Sequence, residues 1–216
     1  MGRTINIMLA FSICFAQSWC DHGAPPQPQG KEQTASSPVA QYGNQANSKP
    51  LSGEEHWIRG NRLRAETKYE EAVKEYQLAI EKGYDSNWVR TELGMVLDHY
   101  LHRPEEAIKH FRVAIGRDEN DWRAHWSLAN SLLETKQFDE AWRELQIVKR
   151  LDPKNTAAGL YIYATAKALD GLDRTDEALK EYEAFLKRAE KLEPNSPRVR
   201  EVRTRVQILK GKLPVN

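Results

Sequence analysis

Cysteine is almost missing from this chain. Of 216 residues only Cys14 and Cys20 carry a thiol, so the fold cannot depend on a disulfide framework. Charge of one sign is missing too. Lys and Arg number 32 against 31 acids, a balance that favours neither a nucleic-acid nor an anionic-membrane partner for the chain as a whole. No N-x-[ST] glycosylation acceptor occurs. Nor does a G-x-x-x-x-G-K-[ST] phosphate loop, a G-x-G-x-x-G turn, a G-x-S-x-G elbow or an H-E-x-x-H zinc helix. The histidines are His22, His56, His99, His102, His110 and His125. His99 and His102 stand one helical turn apart beside Asp98, but a structural zinc site wants four ligands and this trio lacks the fourth. They read as ordinary exposed helix residues. No catalytic residue, metal site or cofactor is expected.

Long apolar runs are also scarce. The one candidate is Ile5 to Ala16, inside "MGRTINIMLAFSICFAQSWC". It is too short to cross a bilayer core, which takes about 20 residues in a helix. Arg3 before it and small residues after it fit a secretory signal over residues 1–18, cleaved after Ala16 or Ser18. The expected location is therefore exported, periplasmic or secreted, with no transmembrane segment in the mature chain. Trp19, directly before Cys20, argues against a lipid anchor there. A cytosolic protein with a misread N-terminus is the alternative. Residues 19–52 are rich in Pro, Gln, Ser and Gly and almost empty of large apolar groups, so they read as a disordered tether.

What is present begins at residue 53. Pro and Gly thin out, and apolar residues fall at three- and four-residue intervals, so the segment is helical throughout. Small residues then repeat. Gly60, Gly94 and Ala129 are spaced by 34 and 35, as are Ala72, Ala107 and Ala141 in the reverse order, and Ala178 follows 37 later. Such an offset fits two short antiparallel helices meeting at paired small residues. Four residues after the second small residue comes a large side chain, Tyr76, Phe111, Leu145 or Tyr182. A helix pair of this kind buries its face only against the next pair, which makes a solenoid. The carboxylates of "YEEAVKE" and "FDEAWRE" alternate with bases at helix-surface spacing rather than pairing for general acid–base work.

A 34-residue helix–turn–helix with these positions resembles the tetratricopeptide repeat. The resemblance implies an all-α, right-handed α-solenoid of four units, 53–86, 87–121, 122–155 and 156–195, with a C-terminal capping helix over 196–212 lined by Val199, Val202, Val206 and Leu209. The second unit carries one extra residue, placed at the inter-helix turn "YLHRPEE". The fourth is looser, with three residues inserted before Ala178 and Tyr163 at the small position. In this family the first helix of each pair lines a concave groove that receives a partner's extended peptide or helix. The carry-over gives Trp57, Asn61, Arg64, Trp88, Thr91, Met95, Asp98, Arg123, Trp126, Asn130 and Leu133 as groove residues, with Leu160, Ala164 and Lys167 from the fourth unit. Trp57 and Trp126 equally fit packing between units, and for Trp122 and Trp142 packing is the expectation. The family's carboxylate clamp is rejected, since Glu92 at one of its positions would repel the ligand.

The sequence therefore points to an exported adaptor that holds a protein partner. The rival is a structural or oligomerising subunit using the solenoid ends or the basic face of residues 196–212. An enzyme with an unseen site is a third reading.

Overall fold

A computed structural model describes residues 50–154 and 159–211. The expected signal peptide, Cys20 and the expected tether up to residue 49 lie outside the described residues. Among the described residues nine α-helices follow one another: α1 (Gly53–Ala65), α2 (Tyr69–Glu81), α3 (Asn87–Met95), α4 (Pro104–Arg117), α5 (Trp122–Glu134), α6 (Phe138–Leu151), α7 (Gly159–Gly171), α8 (Thr175–Leu192) and α9 (Pro197–Leu209). Among the described residues there is no strand. Helices pair as α1–α2, α3–α4, α5–α6 and α7–α8, each pair packs on the next, and α9 closes the row. The fold is an all-α solenoid.

Local chemistry sets where each helix begins. Several first helices of the pairs start behind a short polar cap. Ser52 forms a capping box with Glu55, Ser86 accepts from Val89 N–H, and Asp121 accepts from Arg123 and Ala124. Ser196 caps α9 in the same way. The second helices instead start without a side-chain cap and carry an acidic pair in the first turn: Glu70–Glu71, Glu105–Glu106, Asp139–Glu140 and Asp176–Glu177. There the carboxylates meet the positive end of the helix dipole. The recurring acidic pair is thus a helix-start signal.

The turn inside each pair is the same in all four units. Thr67, His102, Lys136 and Asp173 all sit at positive φ two residues before the second helix. Lys68, Gln137 and Arg174 donate backbone N–H to the carbonyls of Leu63, Leu132 and Leu169, five residues back. In the second unit Arg103 reaches Leu97, six residues back, because α3 runs on as a π-helical turn over Val96–Tyr100. The extra residue is therefore absorbed inside the first helix and not in the turn, where the sequence reading put it. The fourth unit needs a second correction. Its helices are joined as the others are, so the insertion precedes Gly159, and the small position falls to Ala166, twelve residues before Ala178. Ala166 is fully buried with Ala178 and Tyr182, while Tyr163 is only half buried on the outer side of α7.

Burial follows this register. One apolar cluster runs through the first three units into α7, and a second joins α7, α8 and α9 through Val199, Val202 and Val206, with Trp142 packed on both. Where the paired helices approach closest, size is traded across the contact. A Cβ on Gly60 would lie 2.8 Å from the Tyr76 ring, and one on Gly94 would lie 2.5 Å from the Phe111 ring. In the third unit the same positions hold Ala129 and the smaller Leu145, both buried. Gly94→Ala is expected to cost about 1–3 kcal/mol by overpacking. Adding Phe111→Leu is expected to return part of that loss, so the double variant is more stable than the two single costs predict. Urea denaturation of the four proteins checks this, and simple additivity would contradict the size trade.

Candidate partner-binding face

The first helices α1, α3, α5 and α7 stand side by side, and α9 joins them in the same register. Ala124, Ser127 and Ser131 of α5 correspond to Val199, Val202 and Val206 of α9, and both sets are buried. The positions between them align as well, all half buried except buried Thr91 and exposed Glu201. Trp57, Thr91, Trp126, Tyr163 and Glu201 form one row across the solenoid, and Asn61, Met95, Asn130, Lys167 and Arg205 form a second. Of the fourth-unit residues expected to face a partner, Leu160 and Lys167 are half buried, but Ala164 is buried and Tyr163 takes its row.

Of the other expected groove residues, Trp57, Asn61, Arg64, Trp88, Met95, Arg123, Trp126 and Asn130 are half buried, whereas Thr91, Asp98 and Leu133 are buried by the packing of neighbouring helices and are not open to a partner. The half-buried residues also pack within their own units and, through Arg123 and Trp126, between neighbouring units. Trp57 packs on the core and sits 5.7 Å from the Tyr84 ring, with its indole N–H buried and without a hydrogen-bond partner. Asn61 accepts from the Tyr76 hydroxyl at 2.8 Å, and burial pushes that phenol well above its usual range. Arg123 lies 4.6 Å over the Trp88 ring, and Trp126 stacks on Tyr161 at 6.3 Å. Asn130 donates to its own helix, to the Trp126 carbonyl, which leaves its side-chain oxygen for another donor. Met95 packs partly on the core. Packing between units and exposure to a partner therefore coexist in the same side chains.

Two polar groups, Glu92 and Asp98, stand elsewhere than the sequence suggested. Glu92 does not face a ligand: it is 8% exposed, buried beside α1, with Arg64 Nε 3.6 Å away. Burial raises its pKa, and the positive charges of Arg64 and Arg123 oppose the shift. Asp98, read as exposed, is 2% exposed in the π turn, near His99 Nδ1 at 3.1 Å. Glu134 is pushed up by burial and by the Asp98 charge. Among the described residues no group of histidines, cysteines and acids is placed to hold a metal. His56 and His125, one register position apart by two units, each hydrogen-bond a second-helix glutamate, Glu75 or Glu144. For His125 burial works against the charged ring, but Glu144 and the Glu119 carbonyl win and raise its pKa. Nothing in the sequence pattern separates these buried ions from surface pairs, because both recur at helical spacing.

Glu92 allows a test of the link between units. An acid whose folded-state pKa is raised has its full stability below the unfolded value and loses it as pH rises through the folded one. Glu92→Gln is therefore expected to match or exceed the parent at pH 8, with the gap closing towards pH 5. Urea midpoints at the two pH values check it; a variant weaker than the parent at pH 8 would show that the Arg64 ion pair outweighs burial.

Comparison with known proteins agrees with this architecture. A family model described as tetratricopeptide repeat matches residues 101–165. No curated protein matches the sequence. Among solved structures the chain is similar to YrrB, described as a TPR protein with an unusual peptide-binding site, at 20% identity and a TM-score of 0.59, covering 70% of this chain and 74% of that one. It is also similar to MamA, at 17% identity and a TM-score of 0.61, covering 74% and 83%. A further MamA structure matches at 18% identity and a TM-score of 0.59, covering 74% and 87%. At these identities the likeness concerns the fold. The residue register, the helix pairs and the family match agree: residues 101–165 carry the tetratricopeptide repeat, within a solenoid of the same fold.

Proposed function

We propose that the chain is a protein-interaction scaffold that holds a peptide or helix of a partner along the face of its first helices, in an extracytoplasmic complex. The observation that carries the reading is that Trp57, Trp88 and Trp126 remain half exposed in one face while the core beneath them is closed. Tryptophan and arginine in such positions are typical anchors of interfaces. The YrrB description adds that a related fold binds peptide, which supports the same use here.

The rival, stacking through the solenoid ends, finds little support. On α1 the positions that would meet a preceding unit are Glu55, Ile58, Arg59 and Arg62, all exposed and three of them charged. On α9, Arg203 and Gln207 are exposed where Leu128 and Leu132 pack in α5. Both ends have the polar outer face of a solenoid cap. The basic residues of α9 are also engaged. Arg203 pairs with Glu190, Arg205 with Asp170 and Lys210 with Glu183, while Arg200 donates to the Asn195 carbonyl. Among the described residues no helix is long and apolar enough to cross a membrane.

Affinity capture from host extract tests the reading. The probe is the full chain beside a Trp88→Ala, Asn130→Arg variant and an Arg112→Ala control, whose change lies on the exposed Arg112–Glu140 pair of the second helices. With folding verified by circular dichroism, a partner retained by parent and control is expected to fall at least about ten-fold on the double variant. Equal retention by all three would move the binding surface off this face. Export is checked by sequencing the N-terminus of the native protein, which is expected at Gln17 or Trp19; an intact Met1 would overturn it.

A further inference from the structure

The solenoid contains an open cavity of about 560 Å³ between α7, α8 and α9, at the end of the first-helix face. Phe138, Gly171, the Tyr182 ring and Ile208 form its apolar part, and Lys167, Asp170, Glu201, Thr204 and Arg205 its polar part. Two of the charges lining it, Arg205 and Asp170, are already matched to each other. Arg205 donates from Nε and Nη2 to both oxygens of Asp170 at 2.7 Å, and the Tyr182 hydroxyl adds a bond of 3.1 Å to the same carboxylate. Glu201 accepts from the Tyr163 hydroxyl at 2.9 Å, while the Arg198 guanidinium lies 5.0 Å over that ring.

Lys167 is left over. Its ammonium sits 5.6 Å from the Tyr163 ring and, among the described residues, forms no ion pair. It acts through space on Glu134, without an ion-pair contact. The free donors are therefore the three N–H of Lys167 and the Nη1 group of Arg205, against one free carboxylate oxygen on Glu201. Such a wall wants an acceptor-rich anion, and the apolar wall beside it wants a side chain.

We propose that this cavity receives an acidic side chain of a partner polypeptide, gripped by Lys167 and Arg205, with the neighbouring apolar residue of the partner against Phe138 and Ile208. The site rests on the scaffold reading for its ligand class but uses none of the groove residues tested above. It also lies beyond the first three units, where the carboxylate clamp was rejected.

The probes are acetyl-Leu-Glu-amide, acetyl-Leu-Gln-amide and acetyl-Leu-Gln with a free C-terminus, titrated to millimolar concentration into the isotope-labelled full chain and followed by NMR. The glutamate peptide is expected to shift the backbone amides around Lys167 and Arg205 saturably. Binding is expected to weaken about ten-fold or more in Lys167→Met, which keeps the stem and removes the charge. It is expected to persist in the Trp88→Ala, Asn130→Arg variant, so failure of the groove and failure of this site are separable. Equal shifts from the glutamine amide, or unchanged binding by Lys167→Met, would overturn the site. Binding of the free-terminus peptide alone would overturn the side-chain assignment in favour of a chain end.

Discussion

The close approach of the two helices in each unit is the contact on which the remaining structure depends. Gly60 admits Tyr76, Gly94 admits Phe111, and Ala129 stands with Leu145. With the pair set at that distance, Ala72, Ala107 and Ala141 become fully buried, and large side chains from the next unit can close the core. One wide residue at the crossing forces the backbones apart, and the displacement passes to every neighbour because interiors are close-packed. The conserved geometry of the turn, with its residue at positive φ, delivers the second helix to this contact in every unit.

The face proposed for recognition is a by-product of that stacking. Each first helix must touch the next, and it does so with side chains too large to be hidden completely. Arg123 over Trp88, Trp126 on Tyr161 and Arg205 on Asp170 are inter-unit contacts that also lie on the face proposed to meet a partner. A partner therefore meets groups already oriented by packing, which lowers the ordering cost of binding. Glu92 and Asp98 show the other side of the same arrangement: stacking buries some ions that no hydrogen bond fully satisfies.

Much of this was legible in the residues. The 34- and 35-residue spacing of small side chains, the large residue four places on, and Val199, Val202 and Val206 of the cap all found their expected places in the core. Less legible was where added residues go. Counting from Ala129 lands on Tyr163, while the chain shifts its register before Gly159 and puts Ala166 at the crossing. The extra residue of the second unit was visible as a count but not as a π turn, since a helix can widen locally and still deliver its turn unchanged. Nor was the charge balance of α9 legible. Its basic residues look free in the sequence, yet their acids come from α7 and α8 up to 35 residues away.

The amino-acid sequence by itself determined the class of fold, the number of helix pairs, the capping helix and the want of recognisable catalytic machinery, because periodicity and small-residue pairing are local properties repeated along the chain. Only the tertiary structure decided which polar groups face a partner. Whether Glu92, Asp98, Lys167 or Arg205 is buried, matched or left free depends on helices that are distant in sequence and adjacent only after stacking. Helical spacing places a charge on a face; the neighbouring unit decides whether that face meets protein, water or a ligand.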